Sequence, residues 1–204
     1  VSCVAVLREM PGEPANLLKI MIMRVGTGQY FHYPPNFTIF VRINSIDMHT
    51  ILGIGNALTD ILAVLPDDSF LKLYHLPKGS MQFVDMETGN KIFESLKPYG
   101  LHYVAGGSAA NTITCTAILG MPSAFIGKVG EDELGHLFKS DEEQYGVKTL
   151  LLKGKNPSGR SMVLVSGANA ERTFANYMGA ALEMVPEDLK PEYFQGYDYF
   201  HIEG

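Results

Sequence analysis

Three glycine-punctuated stretches carry the side chains of this chain best suited to chemistry. In the first, Gly53-Ile54-Gly55 closes an apolar run that begins at Thr50, and Asn56 and Asp60 follow. Such a run reads as a buried parallel strand, and polar groups just past its carboxyl end face the crevice where open α/β sheets bind ligands. The dinucleotide-binding GxGxxG pattern wants a third small residue where this chain has Leu58, so a nicotinamide site is not expected. On spacing alone, a ligand contact and a plain Asx turn with a solvated Asp60 account for these residues equally well.

The second stretch, Gly106-Gly107-Ser108-Ala109-Ala110-Asn111, is the most informative. Paired glycines between a strand and a helix let a ligand approach the backbone with no Cβ in the way. The amides that follow sit at a helix N-terminus and can donate to oxygen ligands. Ser108 and Asn111 are three residues apart, so both project from the first turn towards one spot. A polyhydroxyl ligand suits such a site, because asparagine both donates and accepts and a carboxylate such as Asp60 accepts from two hydroxyls. The competing explanation is an ordinary helix start, with Ser108 as the cap and Asn111 facing solvent. A hydrolase nucleophile elbow centred on Ser108 is not expected, since only His136 and His201 lie downstream and neither has a supporting motif.

The third stretch runs from Gly127-Lys128-Val129-Gly130 through Glu131-Asp132-Glu133 to Gly135. It lacks the Walker A pattern and reads as a strand-to-helix turn whose acids favour the helix start. Further on, Glu171 and Arg172 follow the loop 167–169, as an exposed ion pair or at a pocket rim. Cys3 and Cys115 cannot make a disulfide framework or a complete zinc site, and the six histidines show no HExxH spacing. No metal site is expected, and reduced thiols suit a cytoplasmic protein.

Elements must position these groups, and the composition allows them to. With 204 residues, 46% hydrophobic and 19% charged, the chain can bury a core and is not a disordered one. A net charge of −6 disfavours nucleic acid as the main partner. No run approaches the ~20 apolar residues of a membrane span, and no targeting signal is read. From Thr50 onward the pattern alternates. Strands are expected at 50–55, 60–65, 102–105, 124–129, 147–152, 161–165, 173–177 and 197–202. Helices are expected at 67–74, from the Asp85 cap to Leu96, from Gly107 to Leu119, at 132–145 and, briefly, at 186–189. This alternation implies an α/β layered fold with a mainly parallel sheet.

The first 47 residues differ. They carry four basic and three acidic side chains, with turn-formers and short apolar runs but no sustained period. Residues 1–47 therefore read as an extension of doubtful origin, translated from upstream DNA or added, with Met48 as a plausible start. A genuine extension that packs somewhere is the alternative. Deleting it is expected to leave the melting temperature unchanged. At the other end, His201-Ile202-Glu203-Gly204 follows a strand with no covering helix, which suggests a missing C-terminal part.

Taken in order, these motifs resemble the ribokinase-like sugar kinase superfamily, the PfkB family, and are most similar to its adenosine kinase-like branch. The residues that carry the resemblance are 53–60, 106–111, 127–132, Ser158-Gly159 with 161–165, and Arg172 to Gly179-Ala180-Ala181. The likeness covers about Thr50 to Gly204, so residues 48–204 resemble the N-terminal portion of a PfkB-type kinase domain. The resemblance implies a three-layer α/β/α domain with a small β lid. It also implies ATP-dependent phosphorylation, with Mg2+, of a primary hydroxyl on a sugar or nucleoside. By motif position Asp60 would accept from sugar hydroxyls beside Asn56, Gly107 and Ser108 would cradle the ring, and Asn111 would bind a further hydroxyl. Glu171 matches a ribose-contacting glutamate only loosely. The family's catalytic aspartate and anion hole belong to a Gly-Ala-Gly-Asp motif, which does not occur in these 204 residues. The resemblance therefore makes this chain the acceptor-binding half of a kinase, inactive by itself. The rival expectation is a non-catalytic sugar- or nucleoside-binding or regulatory module. An exposed lid edge also leaves room for pairing with a second copy.

Overall fold

In a computed structural model the chain divides into two compact units, 1–48 and 49–204. Residues 49–167 and 170–203 are described in full, together with the backbone of three strands in the first unit. Those strands, β1 (Ser2–Arg8), β2 (Leu17–Val25) and β3 (Ile39–Arg42), form an antiparallel sheet in that order. The apolar runs without a sustained period are thus strand-forming, because cross-strand pairing needs no long periodic stretch.

The second unit contains two sheets. The first has the order β12-β4-β8-β9, formed by β4 (Ile51–Ile54), β8 (Ser123–Val129), β9 (Lys148–Lys153) and β12 (Tyr199–Ile202). All its pairings are parallel. Strand β8 is buried along its whole length, as expected of a central parallel strand covered on both faces. One face is covered by α3 (Ser108–Ile118) and α4 (Glu133–Gln144), whose Ile113 and Phe138 pack with Phe125. The other is covered by a run of 3-10 turns between 179 and 194, where Met184, Leu189 and Tyr193 meet Leu52 and Ile126.

The second sheet has the order β6-β11-β10-β5-β7 and mixed pairing. Its strands are β5 (Leu58–Val64), β6 (Met81–Phe83), β7 (His102–Gly106), β10 (Gly159–Ser166) and β11 (Glu171–Tyr177). One face carries Ala63, Met162, Leu164 and Ala175 and is sealed by α1 (Ser69–Leu73) and α2 (Met86–Leu96). Asp85 caps α2 as expected, its carboxylate accepting from the Thr88 amide at 2.7 Å. The opposite face carries no helix and exposes Val64 and Phe83. Among the described residues no helix is long and apolar enough to cross a membrane.

Most expected elements form within a residue or two of their expected bounds. The strand Met81–Phe83 was not anticipated, because three residues are too few to show a period. The expected helix near 186–189 is one 3-10 turn, Pro186–Asp188.

Candidate functional site

The connection between the two sheets builds the site. Strand β4 ends at Ile54 in the parallel sheet, Asn56 lies in the crossing, and β5 begins the second sheet at Leu58 with Asp60 two residues in. The Gly53–Gly55 pair serves this junction by letting α3 lie close. A Cβ on Gly53 would fall 2.2 Å from Ile113 Cγ1, and one on Gly55 would fall 2.6 Å from the Ala109 Cβ. The two glycines thus seat a helix against a strand end.

Strand β7 returns to Asp60 from the other side, pairing Asp60 with Val104 and Leu58 with Gly106. The Asp60 carboxylate lies directly over Gly106, where a Cβ would meet Oδ1 at 2.4 Å. At Gly107 the chain turns with φ 98°, and any Cβ there would sit 2.3 Å from the Asn56 carbonyl oxygen. Both the backbone angle and the contact demand glycine. Helix α3 then starts at Ser108, with the Asn111 amide donating to the Gly107 carbonyl at 2.9 Å. Gly107, not Ser108, is the cap residue, and no side chain caps the helix. The reading of Ser108 as a helix cap is therefore corrected. Its hydroxyl and the Asn111 amide are exposed on the first turn, and the amides of Ser108, Ala109 and Ala110 have no preceding turn to donate to.

Helix α4 holds this corner together. The Thr59 hydroxyl donates to the Leu134 carbonyl at 3.1 Å, and the Ala105 amide donates to Asp141 Oδ2 at 2.6 Å. Strands β5 and β7, which carry Asp60 and lead into Gly106, are thus fastened to one helix. That helix is capped in turn by Asp132, which accepts from the Gly135 amide at 2.9 Å and from the Ser158 hydroxyl at 2.6 Å. The Gly127–Gly135 stretch is structural. Its Lys128 is spent on Asp188 at 2.6 Å and on the Glu183 carbonyl at 2.9 Å.

Asp60 is half-buried rather than fully solvated. Burial pushes its carboxyl up to about 6, and the Arg172 guanidinium pulls the other way. Arg172 lies two rows from Asp60 on the same open face, because Asp60, Ser161 and Asn176 share one cross-strand row and Val64, Val165 and Arg172 another. It stands over the Phe174 ring at 5.8 Å. Its link to Asp60 depends on pairing across three strands and left no mark in the sequence.

Asn56, Asp60, Gly107, Ser108 and Asn111 therefore gather at the junction of β4, β5, β7 and α3. Glu171 does not. It begins β11 five residues from Asn176, roughly 16 Å along the strand. It lies on the opposite face, beside Gly79. A separate shallow groove between α4 and β9 is lined by Gly130, His136, Lys139 and Thr149 among others. Its cations are already paired, Lys153 with Glu131 and Lys139 with Glu143. The Ser108 hydroxyl donates to no histidine among the described residues, which leaves the elbow chemistry unsupported.

Comparison with known proteins agrees with this geometry. Residues 80–204, more than half of the chain, match the family described as "pfkB family carbohydrate kinase". The chain belongs to that family. It is 31% identical over 147 residues to adenosine kinase 2 of Arabidopsis thaliana, a match covering 70% of this chain and 42% of that protein. It is 30% identical over 128 residues to the probable fructokinase-2 of the same plant, covering 59% and 37%. Among solved structures, the adenosine kinase from Sinorhizobium meliloti superposes with a TM-score of 0.67 at 33% identity, covering 76% of this chain and 47% of that one. The chain spans less than half the length of each of these relatives. The fold is the ribokinase-like α/β one, with the parallel sheet as its base and the mixed sheet as its lid.

Proposed function

We propose that residues 49–203 form the acceptor-binding half of an ATP-dependent kinase that phosphorylates a primary hydroxyl of a sugar or nucleoside. The observation that carries this reading is the half-buried Asp60 carboxylate beside a helix N-terminus, at the seam of base and lid. Asp60 accepts from two vicinal hydroxyls and Asn56 flanks it. Gly107 and Ser108 lie under the ring, and the exposed Asn111 amide binds one further hydroxyl. Glu171 is left out of this constellation by its place on β11.

In the reaction the acceptor oxygen attacks the γ-phosphorus of ATP, the bond to the bridging oxygen breaks, and ADP leaves as the hydroxyl loses its proton. This half of the reaction is positioning, and a fixed acceptor supplies a large share of the rate. ATP and Mg2+ are the family's co-substrates. The site described here does not fit them: its central group is an anion that accepts from hydroxyls and would repel a triphosphate. No group of three or more His, Cys, Asp or Glu comes together among the described residues. No step through ATP or Mg2+ is assigned to these residues, and no Gly-Ala-Gly-Asp stretch occurs among the 204 to supply base and anion hole. We therefore assign acceptor binding to this chain and assign phosphoryl transfer to the complete enzyme.

ADP release by the complete protein is the test, across adenosine, other nucleosides, D-ribose and D-fructose. A kinase gives saturable, acceptor-dependent ADP for at least one of them. Acceptor binding with no ADP release would favour the non-catalytic module.

A further inference from the structure

The lid's open face is mostly apolar beyond the row of Asp60, with the charged Arg172 two rows away. Pairing sets Asp60 beside Ser161 on β10, and Ser161 beside Asn176 on β11. The next row on that face is Leu62, Val163, Phe174 and Met81, and Phe83 continues the polar row at the sheet edge. Three adjacent polar side chains therefore cross a greasy surface from the known corner outward. Two of them are buried, Ser161 at 3% and Asn176 at 4% exposure, and Asp60 is half-buried. The Asn176 Oδ1 atom is buried without a hydrogen-bond partner. No hydrogen bond among the described residues is made by the Ser161 hydroxyl or the Asp60 carboxylate either.

Such an arrangement is costly in a ligand-free protein. A buried amide oxygen with no donor loses its hydration and gains nothing in return, roughly 1–3 kcal/mol in mutational series. Buried polar atoms of this kind are rare enough to call for an explanation. A folding role is a poor one, because nothing among the described residues pairs with them and a leucine would fill the Asn176 position at lower cost. A ligand rich in hydroxyls resolves it, since each hydroxyl both donates and accepts. The asparagine amide turns about a broad, two-fold torsion, so it can present either end to the row's open side.

We infer that Ser161 and Asn176 extend the acceptor site along the lid, so that Asp60, Ser161 and Asn176 form one hydroxyl-reading row with Asn176 as a specificity-determining residue. This inference rests on the acceptor-site reading above. The two are separable by experiment, because Asp60 belongs to both and Asn176 only to this one.

The test is calorimetric titration of the complete protein with adenosine, 2′-deoxyadenosine, 3′-deoxyadenosine and D-fructose. The proteins compared are wild type, Asp60→Ala, Ser161→Ala, Asn176→Ala and Asn176→Leu, each with its ligand-free melting temperature. For the best-bound probe, the Asn176 variants weaken affinity about tenfold, the cost of one lost hydrogen bond. That loss shrinks for a deoxy analogue lacking the hydroxyl Asn176 reads. The ligand-free melting temperature of Asn176→Leu is equal to or above that of wild type. Wild-type affinity in both Asn176 variants, with binding lost in Asp60→Ala, overturns the row and leaves the corner site standing. A fall of several degrees in both Asn176 variants makes the residue structural and overturns the inference. If wild type binds none of the probes, or Asp60→Ala binds as well as wild type, the acceptor-site reading falls and this inference with it.

Discussion

At the scale of single residues, two carboxyl groups are held away from water to opposite ends. Asp60 faces the open side of the lid, where a ligand can reach it, and its pKa of about 6 leaves it ionised and accepting at neutral pH. Glu142 is sealed between helices α3 and α4 at 1% exposure, and burial pushes its carboxyl up to about 7 despite the Thr114 hydroxyl and with some help from Asp141. Thr114 Oγ1 lies 2.9 and 2.8 Å from the two Glu142 oxygens and 3.0 Å from the Ala110 carbonyl. One hydroxyl has one hydrogen. A protonated Glu142 satisfies all three groups: it donates to Thr114, and Thr114 donates to Ala110 in the first turn of α3. The folded protein then keeps this proton up to about pH 7, whereas the unfolded chain releases it near 4.5. Stability from this group accordingly falls as pH rises from about 4.5 to 7 and is level above that, a loss on the order of 3 kcal/mol. Glu142→Gln, which keeps a donor without an ionisable proton, removes that slope and melts several degrees above wild type at pH 8. Parallel pH–melting curves for the two proteins would remove Glu142 as the source.

At the scale of elements, the turn from β7 into α3 decides whether the site exists. Gly107→Ala puts a side chain at φ 98° and against the Asn56 carbonyl, at a cost of roughly 2–4 kcal/mol. Thermal denaturation should show a fall of several degrees, and acceptor affinity should drop with it because Asn56 must move. An unchanged melting curve would mean the turn is not the constraint described. This turn was legible in the sequence: two glycines between an apolar run and a helix pattern left few alternatives. Asp85 and Asp132 marked helix starts as plainly. The row across the lid was not legible, since Asp60 lies about a hundred residues before Ser161 and only strand register sets Asp60, Ser161 and Asn176 side by side. The coupling of Arg172 to Asp60 and the contact of Thr114 with Glu142 likewise depend on tertiary placement. Ser108 was ambiguous for another reason, because a serine at a helix start looks the same as cap or as ligand contact until the backbone angle of the preceding glycine is known.

At the largest scale, in residues 49–203, a parallel sheet and a mixed lid meet at one seam, and five of the six groups read from sequence as ligand-binding meet there too, Glu171 being the exception. Helix α4 ties base to lid through Leu134 and Asp141, so the acceptor corner is braced rather than left on loops. Residues 80–204 match the pfkB carbohydrate kinase family, which is the setting of the acceptor-binding proposal. The central claim is that the Asp60 carboxylate binds the acceptor. Its most direct test is calorimetric titration of the complete protein with adenosine and D-fructose from pH 5 to 8, for wild type and Asp60→Ala. The account predicts saturable binding of at least one probe that weakens as pH falls through about 6, where Asp60 takes up its proton, and is at least about thirtyfold weaker in the variant. Equal affinity in the two proteins at pH 7 to 8, where Asp60 is ionised, would contradict it.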